Sequence, residues 1–237
     1  MTIAAIMQPT YLPWPGYFDL IQRADIFIFL DDVEFARRSW QQRNRIALND
    51  ELVWLTVPVQ KKGRRGERID EVEVDNSRDW RRRHLATLER AYSGSPGFGP
   101  VYGLIERALD PANTALSTIN QTFILGVLEL LGIERTIHCS SEWAVSGTRS
   151  ERLLNLCERA GATAYLSPRG SRDYIEEDGT FAAARFPVSY QQYQTPVYRA
   201  FPPLEQGDSP SFVDALMTLG PERARGILGE GGAKTLP

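Results

Sequence analysis

Two short, wholly apolar runs open the chain. Ile3-Ala4-Ala5-Ile6-Met7 stops at Gln8-Pro9, and Ile26-Phe27-Ile28-Phe29-Leu30 stops at Asp31-Asp32. Runs of this length, without polar alternation, predict strands buried on both faces. Between them, Tyr17 to Ala24 predicts a helix with Phe18, Leu20 and Ile21 turned inward. Strand, loop, helix and strand in about thirty residues make a βαβ unit, which implies parallel pairing in a covered sheet.

The pattern continues. Leu52 to Val59 predicts a third strand, and Ile69 to Val74 alternates as a further one. Helical periodicity follows over 78–92, 99–109 and 115–131. The last of these has Leu116, Ile119, Phe123, Ile124, Val127, Leu128 and Leu131 on one face and Gly132 as its C-cap. These three form a helical insertion at about 78–131. The α/β theme then returns: a strand over 135–140, a helix over 150–160, a strand over 164–167, a turn over 168–171, an edge strand over 188–193 and a helix over 211–219. The expectation is a single α/β domain over 1–225, with a mainly parallel sheet and helices on both faces. Residues 226–237, rich in glycine and small residues, read as a frayed tail.

Composition narrows the function classes. The chain has 237 residues, 42% hydrophobic and 24% charged, enough to bury a core without a metal or disulfide. A formal net charge of −3 supplies no global attraction for nucleic acid. Cys139 and Cys157 sit in no CxxC or Cys/His cluster, and read as free thiols in a reducing compartment. His138 adjoins Cys139, but neighbours on a strand point to opposite faces, which argues against a catalytic pair. No apolar run reaches eighteen residues and the N-terminus lacks a signal-peptide pattern, so the expected compartment is the cytoplasm.

Candidate chemistry collects at strand ends, where open parallel sheets bind ligands. Gln8 leads into a loop stiffened by Pro9, Pro13 and Pro15, with Tyr11, Trp14 and Tyr17 as stacking surfaces and Gly16 where backbone must pass close to something. The second strand ends in Asp31-Asp32, costly to bury unless paired or used. Asp31 suits a structural pairing with an arginine, and Asp32 a general base. Arg43, Asn44 and Arg45 follow, a set suited to phosphate or carboxylate. After the third strand come Lys61 and Lys62, placed to hold a diphosphate. His84, with Trp80 and Leu88 on one helix face, is a second candidate base. Tyr165, Ser167, Arg169, Gly170, Arg172 and Tyr174 offer a second anion-binding turn. No metal set is legible. Each cluster also has a structural alternative: a rigid plug, a salt-bridged loop, a half-buried histidine.

The string Gln8-Pro9-Thr10-Tyr11-Leu12-Pro13-Trp14-Pro15-Gly16-Tyr17-Phe18 closely resembles the WbqC-like family. So do Asp31-Asp32-Val33, Trp40, Arg43-Asn44-Arg45-Ile46 and Trp54-Leu55-Thr56-Val57-Pro58. The likeness runs on through Trp80, His84, Tyr92, Phe98, Gly161 to Ser167, Pro196-Val197-Tyr198 and Ser211 to Asp214. One departure is Arg199, where the family usually has a glutamine. The family is named from O-antigen gene clusters. The resemblance implies a cytoplasmic enzyme of glycan or specialised-metabolite assembly, attaching an acyl or aminoacyl group to an amino sugar. The opening layout also looks like the start of the nucleotidyltransferase superfamily, a Rossmann-like fold. The paired histidines of that signature are missing, since Tyr11 and Trp14 through Tyr17 fill the loop.

The preferred expectation is therefore an acyl or aminoacyl transferase. It needs no firmly held cofactor and takes an acyl thioester, of coenzyme A or of a carrier protein's phosphopantetheine, as donor. Asp32 or His84 would take the amine's proton, and Asn44 or Arg43 would face the oxyanion. Tyr11 and Trp14 would stack on a ring, and Arg45, Lys61 and Lys62 would hold phosphates. The expected partners are a sugar or nucleotide sugar and an acyl carrier protein. The alternatives are an ATP- or CTP-dependent ligase or nucleotidyltransferase with Asp31 and Asp32 on Mg²⁺, and a non-catalytic sugar- or carrier-binding module.

Overall fold

A computed structural model describes residues 1–49, 51–60, 66–198 and 209–229. The apolar runs do form the sheet. β1 (Ile3–Met7) lies at its centre and β2 (Ile26–Phe29) pairs with it in parallel. β5 (Thr136–Cys139) pairs outside β2, β6 (Ala164–Ser167) lies on the other side of β1, and β7 (Val188–Tyr190) closes that edge. All four pairings are parallel.

Period-two geometry gives each strand two buried faces. Ala5, Phe27, Phe29 and Leu166 face one core, made with α1 (Pro15–Arg23), α2 (Trp80–Tyr92), α3 (Phe98–Ala108), α4 (Leu116–Leu130) and α8 (Phe212–Leu219). Ala4, Ile6, Ile26, Ile28 and Tyr165 face a second core, made with α5 (Arg149–Arg159), α6 (Arg172–Asp178) and α7 (Thr180–Ala183). The sheet is thus mainly parallel and covered on both sides, as expected of a Rossmann-like α/β fold. Gly132, at φ 62°, ends α4: its N–H reaches the Glu129 carbonyl and the Ile133 N–H reaches Leu128.

Three expectations need correction. The segment read as a third sheet strand pairs elsewhere: β4 (Glu51–Thr56) forms an antiparallel hairpin with β3 (Arg43–Leu48), separate from the main sheet. Ile69 to Val74 is not a strand. It is a 3₁₀ turn over Ile69–Glu71, followed by isolated bridges from Glu73 to Ala115 and from Val74 to Val59. Its buried positions, Ile69, Val72 and Val74, are not strictly alternate. The boundary at 226 also falls within packed chain, after α9 (Pro221–Arg225). Ile227 and Leu228 are buried, and Gly229 N–H reaches the Asp19 carboxylate at 3.1 Å.

The three helices expected at 78–131 are present as α2, α3 and α4. With the hairpin they form the long crossover from β2 to β5. Among the described residues no helix is long and apolar enough to cross a membrane.

Candidate functional site

The chain steps from β1 to β2 in one direction, and later from β6 to β7 in the other. Strand order therefore reverses between β1 and β6, and a crevice must open beyond their carboxyl ends. Two adjoining hollows lie there. The larger, about 350 Å³, is lined by Gln8, Ser39, Gln41, Leu153, Tyr165, Pro168, Ser171 and Tyr174, among others. The smaller, about 240 Å³, is lined by Trp14, Tyr17, Asn44 and Ser209. Met7, Thr10 and Trp40 belong to both and make the hollows one cleft. Ring faces, amides, hydroxyls and aliphatic groups line it. No carboxylate, guanidinium, ammonium or imidazole does so among the described residues. Larger hollows on the helical surface, such as that beside α2, lie away from the strand ends.

The aromatic loop forms one wall because its backbone is held from several directions. Its prolines lack N–H groups, so the loop is rich in acceptors. Asn120 Nδ2 donates to the Pro9 carbonyl, Asn44 Nδ2 to Leu12, the Phe212 N–H to Pro13, and the Tyr17 hydroxyl to Gln8. Tyr11 N–H donates to the Trp40 carbonyl. Leu12 is held at φ 44°, a conformation that few side chains tolerate. The close approach expected at Gly16 is made by the neighbouring indole: a Cβ there would lie 2.1 Å from the Trp14 ring. Gln8 Oε1 accepts from Gln41 Nε2 at 2.7 Å.

The acidic pair is held in the opposite sense to that expected. The arginine partner falls to Asp32, which pairs with Arg152 of α5 and accepts from the Ser140 hydroxyl. Asp31 is buried and accepts from the Ser141 N–H and hydroxyl, at 3.0 and 2.9 Å. Together they tie the end of β2 to the end of β5 and to α5. Neither carboxylate lines the cleft.

His84 does share a face with Trp80 and Leu88, and all three are buried. Its Nδ1 lies 2.8 Å from the Tyr11 hydroxyl, and a backbone hydrogen bond joins it to Thr56. With the ring donating to the Thr56 carbonyl, Nδ1 accepts from Tyr11. Burial lowers the His84 pKa to about 4, against which the Thr56 bond works. The ring thereby holds the Tyr11 hydroxyl.

A pH dependence follows. Above pH 6.5 the imidazole is neutral in both folded and unfolded chains. Between 6.5 and 4 the unfolded chain takes a proton that the folded one refuses, so stability falls as pH falls, by on the order of 3 kcal/mol. Thermal unfolding from pH 7 to 4 should show a shallower decline in His84→Gln than in the parent. Parallel curves would remove His84 as the cause.

The remaining candidates disperse. Arg43 and Arg45 stand on the outer side of β3, against Trp54 and Trp40. Lys61, Lys62 and Arg199 lie outside the described residues. Arg172 pairs with Glu176, and Arg169 and Gly170 are exposed, so the turn after β6 contributes Pro168 and Ser171 rather than an anion nest. Burial, then the Asp31 charge, pushes the Cys139 thiol up to about 12, and burial does the same for Cys157. Neither thiol is an activated nucleophile. Gln41, Asn120 and Arg152 were not anticipated. Only Gln41 carried a signal, as an amide beside Trp40 in a charged segment.

The profile of the WbqC-like protein family matches residues 8–226. A protein from Mycobacterium tuberculosis, described as "Uncharacterized protein Rv1507c", is 36% identical over 225 residues, which cover 94% of this chain and 96% of that protein. No solved structure matches.

Proposed function

Because this chain belongs to the WbqC-like protein family, we propose that it is a transferase of glycan or specialised-metabolite assembly, joining an acyl or aminoacyl group to the amine of an amino sugar. The observation that carries this reading is the cleft lining. A sugar ring offers an apolar face and a rim of hydroxyls. Trp14 and Trp40 suit the face, and Gln8, Thr10, Asn44 and Ser171 suit the rim.

The lining also bears on reactivity. A buried ammonium without a carboxylate is penalised, so the cleft favours the neutral, nucleophilic amine. The amine nitrogen then bonds to the thioester carbonyl carbon, the carbon–sulfur bond breaks, and the nitrogen's proton passes to the departing thiolate. In this reading the neutral donors to the transient oxyanion are the side-chain amides of the lining, Gln8 and the Asn44 N–H that its bond to Leu12 O leaves over. In this reading Asp32 and His84 position the walls and do not act as bases. The alternative of an ATP- or CTP-dependent ligase or nucleotidyltransferase would need its phosphates and metal held by residues other than those lining the cleft.

The test is incubation of the protein with amino-sugar nucleotides and a panel of acyl thioesters, read by mass spectrometry for the amide. No amide with any donor would end the transferase reading. In calorimetry, Trp40→Ala should bind the amino sugar about tenfold more weakly, equivalent to about 1.4 kcal/mol. An unchanged affinity would place the sugar elsewhere.

A further inference from the structure

The outer side of the β3–β4 hairpin carries Arg43, Arg45 and Trp54, none of which lines the cleft, and Trp40 of the cleft wall stands beside them. Arg43 lies over the Trp54 ring, 4.3 Å from its centroid. Arg45 lies over the same ring at 5.1 Å and over Trp40 at 5.8 Å. The two indoles are 5.6 Å apart and tilted by 32°. Register explains the row: Arg45 sits opposite Trp54 and Arg43 opposite Thr56, so Trp54 meets Arg45 directly and Arg43 on the diagonal. Trp40 and Trp54 remain 46% and 44% exposed, an unusual state for two adjacent tryptophans.

Stacking engages the flat face of a guanidinium and leaves its in-plane N–H groups to bond. Those groups match the oxygens of a phosphate. Arg43 has no carboxylate partner among the described residues, and the indole beneath holds it in place. The row begins at Trp40, which is itself a wall of the cleft. A ligand with its sugar against Trp40 therefore has its next group beside the arginines.

We infer that the Arg43–Trp54–Arg45–Trp40 row binds the diphosphate of a substrate whose adjoining part lies in the cleft, with Arg43 as an anion-contacting residue and Trp54 as a positioning residue. The inference rests on the cleft reading above and names the substrate as diphosphate-linked. Two sources share this chemistry: a nucleotide-activated sugar, and coenzyme A as the thioester carrier.

Calorimetry at low salt with pyrophosphate, uridine diphosphate, thymidine diphosphate, coenzyme A and the free amino sugar tests it. Pyrophosphate or a diphosphate compound should bind, and Arg43→Gln should weaken that binding about tenfold. Trp54→Ala should weaken it less, with a smaller loss of salt dependence, because the charge stays but loses its support. Binding of the free sugar should be unchanged in both variants. Nucleoside diphosphates binding with this dependence assign the row to the acceptor, and coenzyme A alone doing so assigns it to the donor. Either supports a diphosphate site. If the variants fold with parental Tm and bind every diphosphate as the parent does, or the parent binds none, the inference is overturned. A row that binds diphosphate while the free sugar binds nowhere leaves this inference standing and removes the cleft reading.

Discussion

Gly97→Ala should cost at least about 3 kcal/mol, lowering Tm by about 6–12 °C in a chain of this size. A Cβ at this position would lie 2.0 Å from the carbonyl oxygen of Leu216, a backbone atom that no rotamer change can remove. The neighbouring contact cannot yield either, since the Gly97 N–H donates to Met217 O at 2.9 Å. Relief requires moving α8. That helix is fully engaged: Asp214 is buried beneath the Tyr92 and Tyr198 hydroxyls, and Phe212 and Leu216 lie in the main core. Its first turn is also joined to the site, through Ser211 N–H to Arg45 O and Phe212 N–H to Pro13 O. The damage should therefore extend to ligand affinity. Gly94→Ala, three residues earlier, meets nothing within 4 Å and is the control expected to leave Tm unchanged. Equal melting of the two variants would show that α8 shifts freely.

Ser171→Trp should abolish sugar binding, with an affinity loss of about a hundredfold or more, equivalent to about 2.7 kcal/mol. Ser171 follows β6 and faces the larger hollow. Its side chain makes no capping bond at the start of α6, so little stability is lost with it. An indole there fills space that the ligand needs. Arg172→Ala alters the adjacent, outward-facing residue and should bind like the parent. Tm and affinity measured together decide the matter. Undiminished affinity in Ser171→Trp, with Tm within about 2 °C of the parent, would mean that the ligand does not enter between β1 and β6.

The sheet was readable because its strands are apolar on both faces, a pattern that side-chain chemistry alone imposes. The helices were readable from their periodicity, and Gly132 from its position at the end of one. The hairpin was not. Arg43-Asn44-Arg45 hides β3 because its inward residue is a polar amide, Asn44, whose burial is compensated by bonds to Leu12 O and Arg45 N–H. Of the aromatic loop's candidates, Gln8, Trp14 and Tyr17 line the cleft, whereas Tyr11, expected to stack on a ring, is buried with its hydroxyl on His84. The carboxylate, guanidinium and imidazole candidates among the described residues lie outside the cleft lining. The roles of Asp32 and His84 depend on Arg152 and Tyr11, partners 120 and 73 residues away. Nothing in the local sequence reveals such pairings. The third strand end at the cleft is likewise supplied by β6, far along the chain, and not by the segment before Lys61.

The carbonyls of the aromatic loop have a consequence for biosynthesis. The loop leaves the ribosome before the residues that hold it, since its acceptors are claimed by Asn44, Asn120 and finally Phe212. Contacts so distant in sequence form late. The pocket wall is thus finished only when α8 has been made, and a nascent chain that stops short of it presents an unformed mouth to any substrate it meets.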